Sequence, residues 1–387
     1  MVVGVGPRLC CEEEVVSQRN VPFFNYSALF MNDEAGLTDV VIGVLKRGAY
    51  IMQKDLREFE EAVAKFVGVK HAIGVADGTN AILLGLWALD LPAGSEVIIS
   101  SHTYVATAGA THFAGLVPVP VDCGPDHMID PEAIEAAVTP KTRVIMPTQV
   151  NGRTCNMDAI RTIAERHKLI VAEDAAQALG SKFKGQCAGT FGAFGTISFY
   201  PAKLLGCFGD GGAVFTNDDK VAEKVRLLRD HGRNDDGVFV TWGTNSRLDN
   251  LQAAVLHYRL KTYDKDIARR REIASIYQGR LGSISHLTLP PAPGTEPDHF
   301  DVFQNYEIES NLREALRDYL KDHGIGTLIQ WSGQPIHQIE ALGLKRDCPA
   351  TDRLFTRTFM LPMHMALSDE DVSYICDTIH AFYRQNS

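Results

Sequence analysis

From about residue 71 to residue 217, short β-rich runs alternate with segments of helix length, and this alternation limits the fold more than any other feature of the chain. Strands that return to one sheet through helical crossovers are covered on both faces, so they read as near-continuous apolar runs. The fold class is therefore α/β. The expected strands are His71 to Ala76, Glu96 to Ser100, Val117 to Val121, Arg143 to Pro147, Leu169 to Glu173, Thr196 to Tyr200 and Ala213 to Thr216. Their order in the sheet stays open.

Between them lie helix signals. Thr79 to Leu89 is rich in Ala and Leu, and Asp130-Pro131-Glu132 supplies a cap, a first-turn Pro and an acidic first turn. Asn156 and Asp158 open a helix to His167, and Asp218 and Asp219 open another that ends near Gly232. Leu248 to Leu281 reads as one long helix leaving a first, larger domain. Leu289 to Asp298 holds five Pro or Gly in ten residues and is expected as a surface loop. A strand near Gln304 to Ile308, a helix Asn311 to His323, a strand near Thr327 to Trp331 and a helix from Ser368 complete a smaller C-terminal α+β domain. The expected division is a poorly ordered tail at 1–20, a large domain at 21–260 and a small one at 261–387.

The 387 residues suffice for two domains with their own cores. A formal charge of −10 argues against a nucleic-acid binder, since that affinity comes mainly from Lys and Arg neutralising phosphates. Arg269-Arg270-Arg271 sits among Asp264, Asp266 and Glu272 and reads as a solvated helix face. No run approaches the ~20 apolar residues of a membrane span, and Met1 to Pro7 lacks the parts of a signal peptide. The eight cysteines form no C-x-x-C pair and read as reduced thiols of a cytoplasmic protein.

Four features carry chemistry. Asp77-Gly78-Thr79-Asn80 joins a strand to a helix, so free backbone N–H groups and a hydroxyl stand at the positive end of a helix dipole. Leu169 to Gln177 delivers Glu173, Asp174 and an amide at a strand's C-terminal end, where open α/β sheets bind ligands. Ser198 and Lys203 follow on another strand and its turn. Gly206 to Gly212 then lets the backbone turn back into the sheet; it is no P-loop, because its lysine precedes the glycines. Each feature alone has a plain reading as a cap, a turn or a solvated cation. Together an anion cradle, a buried Asp, a Ser and a Lys meet the needs of pyridoxal phosphate: a Lys for the Schiff base, a carboxylate for the pyridine nitrogen and donors for the phosphate. That lysine is expected to have a depressed pKa. No metal is assigned.

From about Asn20 onward the sequence resembles the DegT/DnrJ/EryC1/StrS family of pyridoxal-phosphate-dependent, fold-type I sugar aminotransferases. The likeness is carried by Gly78-Thr79-Asn80-Ala81, Ser101 to Thr107, Glu173 to Ala178, Ser198 to Lys203, Gly209 to Gly212 and Gly243 to Asp249. It implies a large domain with a mostly parallel central sheet flanked by helices. It also implies that Lys203 bonds the cofactor aldehyde, Asp174 pairs with the pyridinium nitrogen and Gln177 bonds the phenolic oxygen. Tyr104 would stack on the ring, while Gly78, Thr79 and Ser198 would hold the phosphate. Asn245 would reach that phosphate from the other subunit of a homodimer with shared sites.

The implied reaction moves an amino group from an amino acid, read as L-glutamate, through pyridoxamine phosphate to a ketosugar carried on a nucleotide. A family branch with His in place of the lysine acts as a dehydratase; Lys203 favours amino transfer. Two segments depart from the family pattern, Pro147 to Gly152 and Ile329 to His337, and the resemblance places both where the sugar would be recognised. A non-catalytic regulator on the same fold would tolerate losing Lys203 or Asp174, and a nicotinamide enzyme would need a G-x-G-x-x-G turn that Asp77-Gly78-Thr79 replaces.

Overall fold

The computed structural model describes residues 19–386. The tail expected at 1–20, with Cys10 and Cys11, lies outside the described residues except for its last two. Seven strands form one sheet in the order His71–Val75, Gly212–Thr216, Phe194–Ser198, Ile170–Asp174, Thr142–Met146, Glu96–Ser100, Val117–Val121. Six run in one direction, and Gly212–Thr216 is antiparallel to both neighbours. A parallel return needs a crossover, usually a helix. Residues 199–211 contain none, so the chain folds straight back.

Alternate residues of the strands serve opposite faces. Ile73, Val75, Val97, Ile99, Val144 and Met146 join one apolar cluster, whereas Ile98, Ile145 and Val171 join another. Each fully buried Val, Ile or Leu side chain is worth roughly 1.5–3 kcal/mol against exposure, which anchors the strand ends where the functional groups emerge.

A second sheet runs antiparallel in the order Leu287–Thr288, Tyr306–Ser310, Thr358–Leu361. Tyr306 and Ile308 pack with Tyr277, Phe359 and Phe382 on one face. Glu307 and Glu309 are buried on the other. The surface loop expected at Leu289 to Asp298 contains no helix or strand.

Three expectations are corrected. Arg269-Arg270-Arg271 is not a solvated face throughout, because Arg270 is buried and donates to the Phe303 and Gln304 carbonyls at 3.0 and 2.7 Å. Leu248 to Leu281 is two helices, Asn250–Leu260 and Tyr263–Leu281, because Thr262 leaves helical geometry (φ −115°, ψ 5°) and Asp264 and Asp266 give the second helix its own acidic first turn. The buried Tyr263 hydroxyl, donating to the Leu179 carbonyl at 2.9 Å, anchors the break. Thr327 to Trp331 is not a strand either. Leu328 makes a single bridge to Met360, after which Gln330–Gly333 forms a 3₁₀ turn with Trp331 and Ser332 in the left-handed region. The edge beside Tyr306–Ser310 goes to Thr358–Leu361 instead. Two amphipathic helices, Glu34–Arg47 and Lys54–Val67, precede the first strand and were not anticipated.

Among the described residues no helix is long and apolar enough to cross a membrane. Their six cysteines are buried free thiols.

Candidate active site

The C-terminal ends of the parallel strands open on a cleft of about 710 Å³. On one side, Asp77 caps the helix Gly78–Ala88 by accepting from the Asn80 N–H at 2.8 Å. This leaves the amides of Gly78 and Thr79 at the helix N-terminus for an anion. A Cβ at position 78 would come within 2.9 Å of the Ser198 Cβ. Glycine is therefore what lets the turn and the end of Phe194–Ser198 close into one cradle.

Ile170–Asp174 ends at the floor of the cleft, and strand alternation separates its two carboxylates. Glu173 points away and binds the loop that follows, accepting from Gly189 N (2.8 Å), Phe191 N (2.6 Å) and Gln149 Nε2 (2.8 Å). Asp174 faces the cleft. Its Oδ2 accepts from Thr107 Oγ1 at 2.6 Å and its Oδ1 from Ala176 N at 3.2 Å. With the carboxylate ionised, Thr107's only proton is committed to it. Thr103 must then donate to Thr107 (2.7 Å), and Thr148 to Thr103 (2.8 Å). Burial pushes the Asp174 carboxyl up, against these hydrogen bonds and the nearby Lys203.

Lys203 stands on the turn after Ser198. Desolvation drives its amine down to about 8, with Asp174 the opposing influence. The turn is gripped from the far sheet: Gln304 accepts from Leu204 N at 2.7 Å and donates to the Ala202 carbonyl at 2.9 Å. Both backbone neighbours of the lysine are thereby held by one side chain.

Tyr104, 55% exposed, and Gln177 line the cleft as well. Gln177 Oε1 accepts from the Asn151 N–H at 2.7 Å. A backbone N–H can only donate, so the amide is oriented with its NH₂ free. Gln177, Tyr200, Lys203 and Trp331 also border a second chamber of about 530 Å³, walled by Phe23, Phe24, Leu328, Met360 and Met363.

Of the residues singled out from sequence, Gly78, Thr79, Tyr104, Asp174, Gln177, Ser198 and Lys203 line one cleft. Asn245 is exposed outside that lining, bridged to Asp230. Sequence reasoning gave no individual role to Thr107, Thr148, Gln304 or Trp331, although Thr107 lies in one of the family blocks and Thr148 and Trp331 in the two departing segments. Only Thr107 carried a local signal, four residues after Thr103 and so one helical turn away.

The model of the DegT/DnrJ/EryC1/StrS aminotransferase family matches residues 32–380 of the chain. Among curated proteins, the chain is 40% identical to the dTDP-3-amino-3,4,6-trideoxy-alpha-D-glucose transaminase of Streptomyces venezuelae, over 82% of this chain and 83% of that protein. It is 37% identical to the pleiotropic regulatory protein of Geobacillus stearothermophilus, over 94% and 99%. Among solved structures, S. venezuelae DesV in complex with a ketimine intermediate superposes with a TM-score of 0.90 at 36% identity, covering 94% of this chain and 98% of that one.

Proposed function

The chain belongs to the DegT/DnrJ/EryC1/StrS aminotransferase family, and from that premise we propose that it transfers the amino group of an amino acid, L-glutamate, to a ketosugar carried on a nucleotide. The family implies pyridoxal 5′-phosphate. The residues present suit that group: an amide-and-hydroxyl cradle that only glycine permits at 78, a buried carboxylate, and a lysine amine with no hydrogen bond among the described residues. The cofactor, when bound, supplies an electron sink for the carbanion formed at the substrate carbon.

The observation that carries the reading is Lys203 held beside Asp174 in a cleft that ends in an anion cradle. A shift from 10.5 to about 8 raises the neutral fraction of the amine at pH 7 from roughly one in three thousand to about one in ten. Neutral Lys203 could attack a carbonyl carbon and, once released, take a proton from the substrate carbon and return it on the cofactor side. Asp174, whose ionised form the Thr107 hydrogen bond favours, would hold a proton on the ring nitrogen. Gln177 would donate its free NH₂ to the phenolic oxygen, and Tyr104 would cover the ring face. Gly78, Thr79 and Ser198 would bind the phosphate, joined by Asn245 from a second copy in a homodimer with shared sites. The same reading divides the chain at 260/261 into a large cofactor domain and a small C-terminal domain.

Two relatives are named for regulatory or sensory roles, and a regulator on this fold is the second reading. Incubation with pyridoxal phosphate, borohydride reduction and peptide mapping separate the two. The aminotransferase reading expects a visible absorption band and label on the peptide containing Lys203. Label on another lysine overturns the site, and no band or label favours the regulator.

A further inference from the structure

The two segments that depart from the family pattern, 147–152 and 329–337, meet each other across the cleft, and a buried carboxylate joins them. Gln330 Nε2 donates to Asn151 Oδ1 and to Glu307 Oε1, each at 2.8 Å. Asn151 Nδ2 donates to Glu307 Oε2 at 3.0 Å, which closes a ring of three side chains. Asn305 Nδ2 adds a bond to Asn151 Oδ1 at 2.9 Å. Glu307 and Gln330 are 4% and 5% exposed, so neither has bulk water as an alternative partner, while Asn151 and Asn305 are half-buried.

Each arm of the ring ends at the cleft. Asn151 is held at φ 58°, ψ 12°, and from there its N–H fixes the Gln177 amide. Gln330 precedes Trp331 and Ser332, two consecutive non-glycine residues at positive φ (50° and 59°). Such conformations are strained and persist where the surroundings over-determine them. Trp331 then stands between the main cleft and the second chamber, its ring edge-on to His102 at 5.1 Å and near Phe355.

We infer that Glu307 is a positioning residue that ties Gln177, on the cofactor side of the cleft, and Trp331, on its outer wall, into one rigid unit that selects the amino-group acceptor. The inference rests on the aminotransferase reading of the cleft. His127, His102 and Gln330 face the Glu307 carboxylate, and Arg357 pairs with the adjacent Glu309 at 3.0 Å, so the anchor is itself clamped.

The test is Glu307→Gln, which keeps the shape and removes the charge, read in two ways. The first uses Trp87→Phe with Trp242→Phe, so that Trp331 is the one tryptophan left of three. Its fluorescence quenching by acrylamide in the cofactor-free chain should rise about twofold as the turn loosens. The second is kinetic: the acceptor KM should rise about tenfold, more than kcat falls, with a shift in the pH midpoint of the visible band. Unchanged quenching overturns the inference, as does a lower melting temperature with KM and band unmoved. Should Glu307→Gln not fold, Gln330→Ala cuts the same link and is held to the same readouts. If the parent chain neither takes up pyridoxal phosphate nor transaminates, the proposed function fails. The quenching arm then still decides whether Glu307 holds Trp331.

Discussion

The cleft around Lys203 and the cluster around Glu307 both take ionisable groups out of water, and they do so to opposite effect. In the cleft, burial moves both partners toward neutrality: the lysine falls to about 8 and the Asp174 carboxyl rises. In the cluster, pairing outweighs burial, with Glu307 held down at about 2 and His127 raised to about 9. His127 lies 3.4 Å from Glu307 and 3.1 Å from Glu309, close enough for the ion pairs to dominate. A group brought near neutrality can exchange a proton during a reaction, whereas one driven far from it keeps its charge and serves as a fixed post. The first arrangement suits chemistry and the second suits positioning.

Substitutions at the two places should therefore fail differently. The largest effect is expected at Lys203→Ala, where loss of the nucleophile and proton carrier should cut turnover by about 10⁴-fold or more. Binding of pyridoxamine phosphate, measured by titration, should survive in part, because the phosphate and ring contacts come from other residues. Asp174→Asn preserves shape and removes the anion; single-turnover rates should fall about 10²–10³-fold with little change in melting temperature.

The cluster should show the reverse pattern. His127→Gln leaves Glu307 and Glu309 with one positive neighbour fewer and should destabilise the chain by about 3–5 kcal/mol in urea denaturation. Its direct effect on the chemical step should be small. A His127→Gln variant of parental stability would remove the contrast between the two regions.

The contrast also predicts opposite pH slopes in the cofactor-free chain. His127 has a folded value of about 9 against 6.5 unfolded, so its contribution is complete below pH 6.5 and is lost as pH rises through 9. Glu307, at about 2 against 4.5, contributes above pH 4.5 and loses that as pH falls through 2. Lys203 works the other way: the unfolded chain binds the proton more tightly, so stability gains as pH rises from 8 to 10.5. Urea midpoints across pH 6 to 10 check this. His127→Gln should flatten the fall between 6.5 and 9, and Lys203→Ala should remove the gain above 8.

The smallest effect is expected at Asn245→Asp. A carboxylate near the phosphate should weaken cofactor binding by roughly fivefold, as for other exposed charge pairs. If the cleft is completed by a second copy, a mixed dimer of Lys203→Ala with Asn245→Asp has one site carrying both native residues. At a cofactor concentration low enough to leave Asn245→Asp largely empty, mixing the two variants should then raise activity above that of either alone. Mixed dimers without restored activity would show that, like the cluster, the cleft is complete within one chain.

Much of the cleft was legible because it is built from strand ends and the turns that follow them. A strand ending in Glu173-Asp174 sends one of two adjacent side chains to each face of the sheet, and a Gly-Thr turn opening a helix leaves its first amides free, whatever packs elsewhere. Lys203 followed from the same logic, as the cation on the turn after Ser198. The glycine run behind it, which returns the chain to the sheet without a helix, was legible too. Where the sequence misled, a long-range contact overrode a local pattern. Leu248 to Leu281 has the composition of one helix, yet the tethered Tyr263 hydroxyl sits at its break. Thr327 to Trp331 resembles a strand, yet Gln330 turns its amide into the Glu307 ring.

The sequence by itself thus determined the α/β class, the strand positions of the larger sheet and the cleft groups carried on strand ends and turns, Gly78, Thr79, Asp174, Ser198 and Lys203, since each depends on backbone conformation over a few residues. The tertiary structure alone decided which strands are neighbours, that Gln304 grips the lysine turn from a hundred residues away, and that Asn151, Glu307 and Gln330 share their hydrogen bonds. Those bonds join segments up to 179 residues apart. A hydrogen bond needs its partners within about 3 Å, and only the packing of the two sheets brings such distant side chains that close.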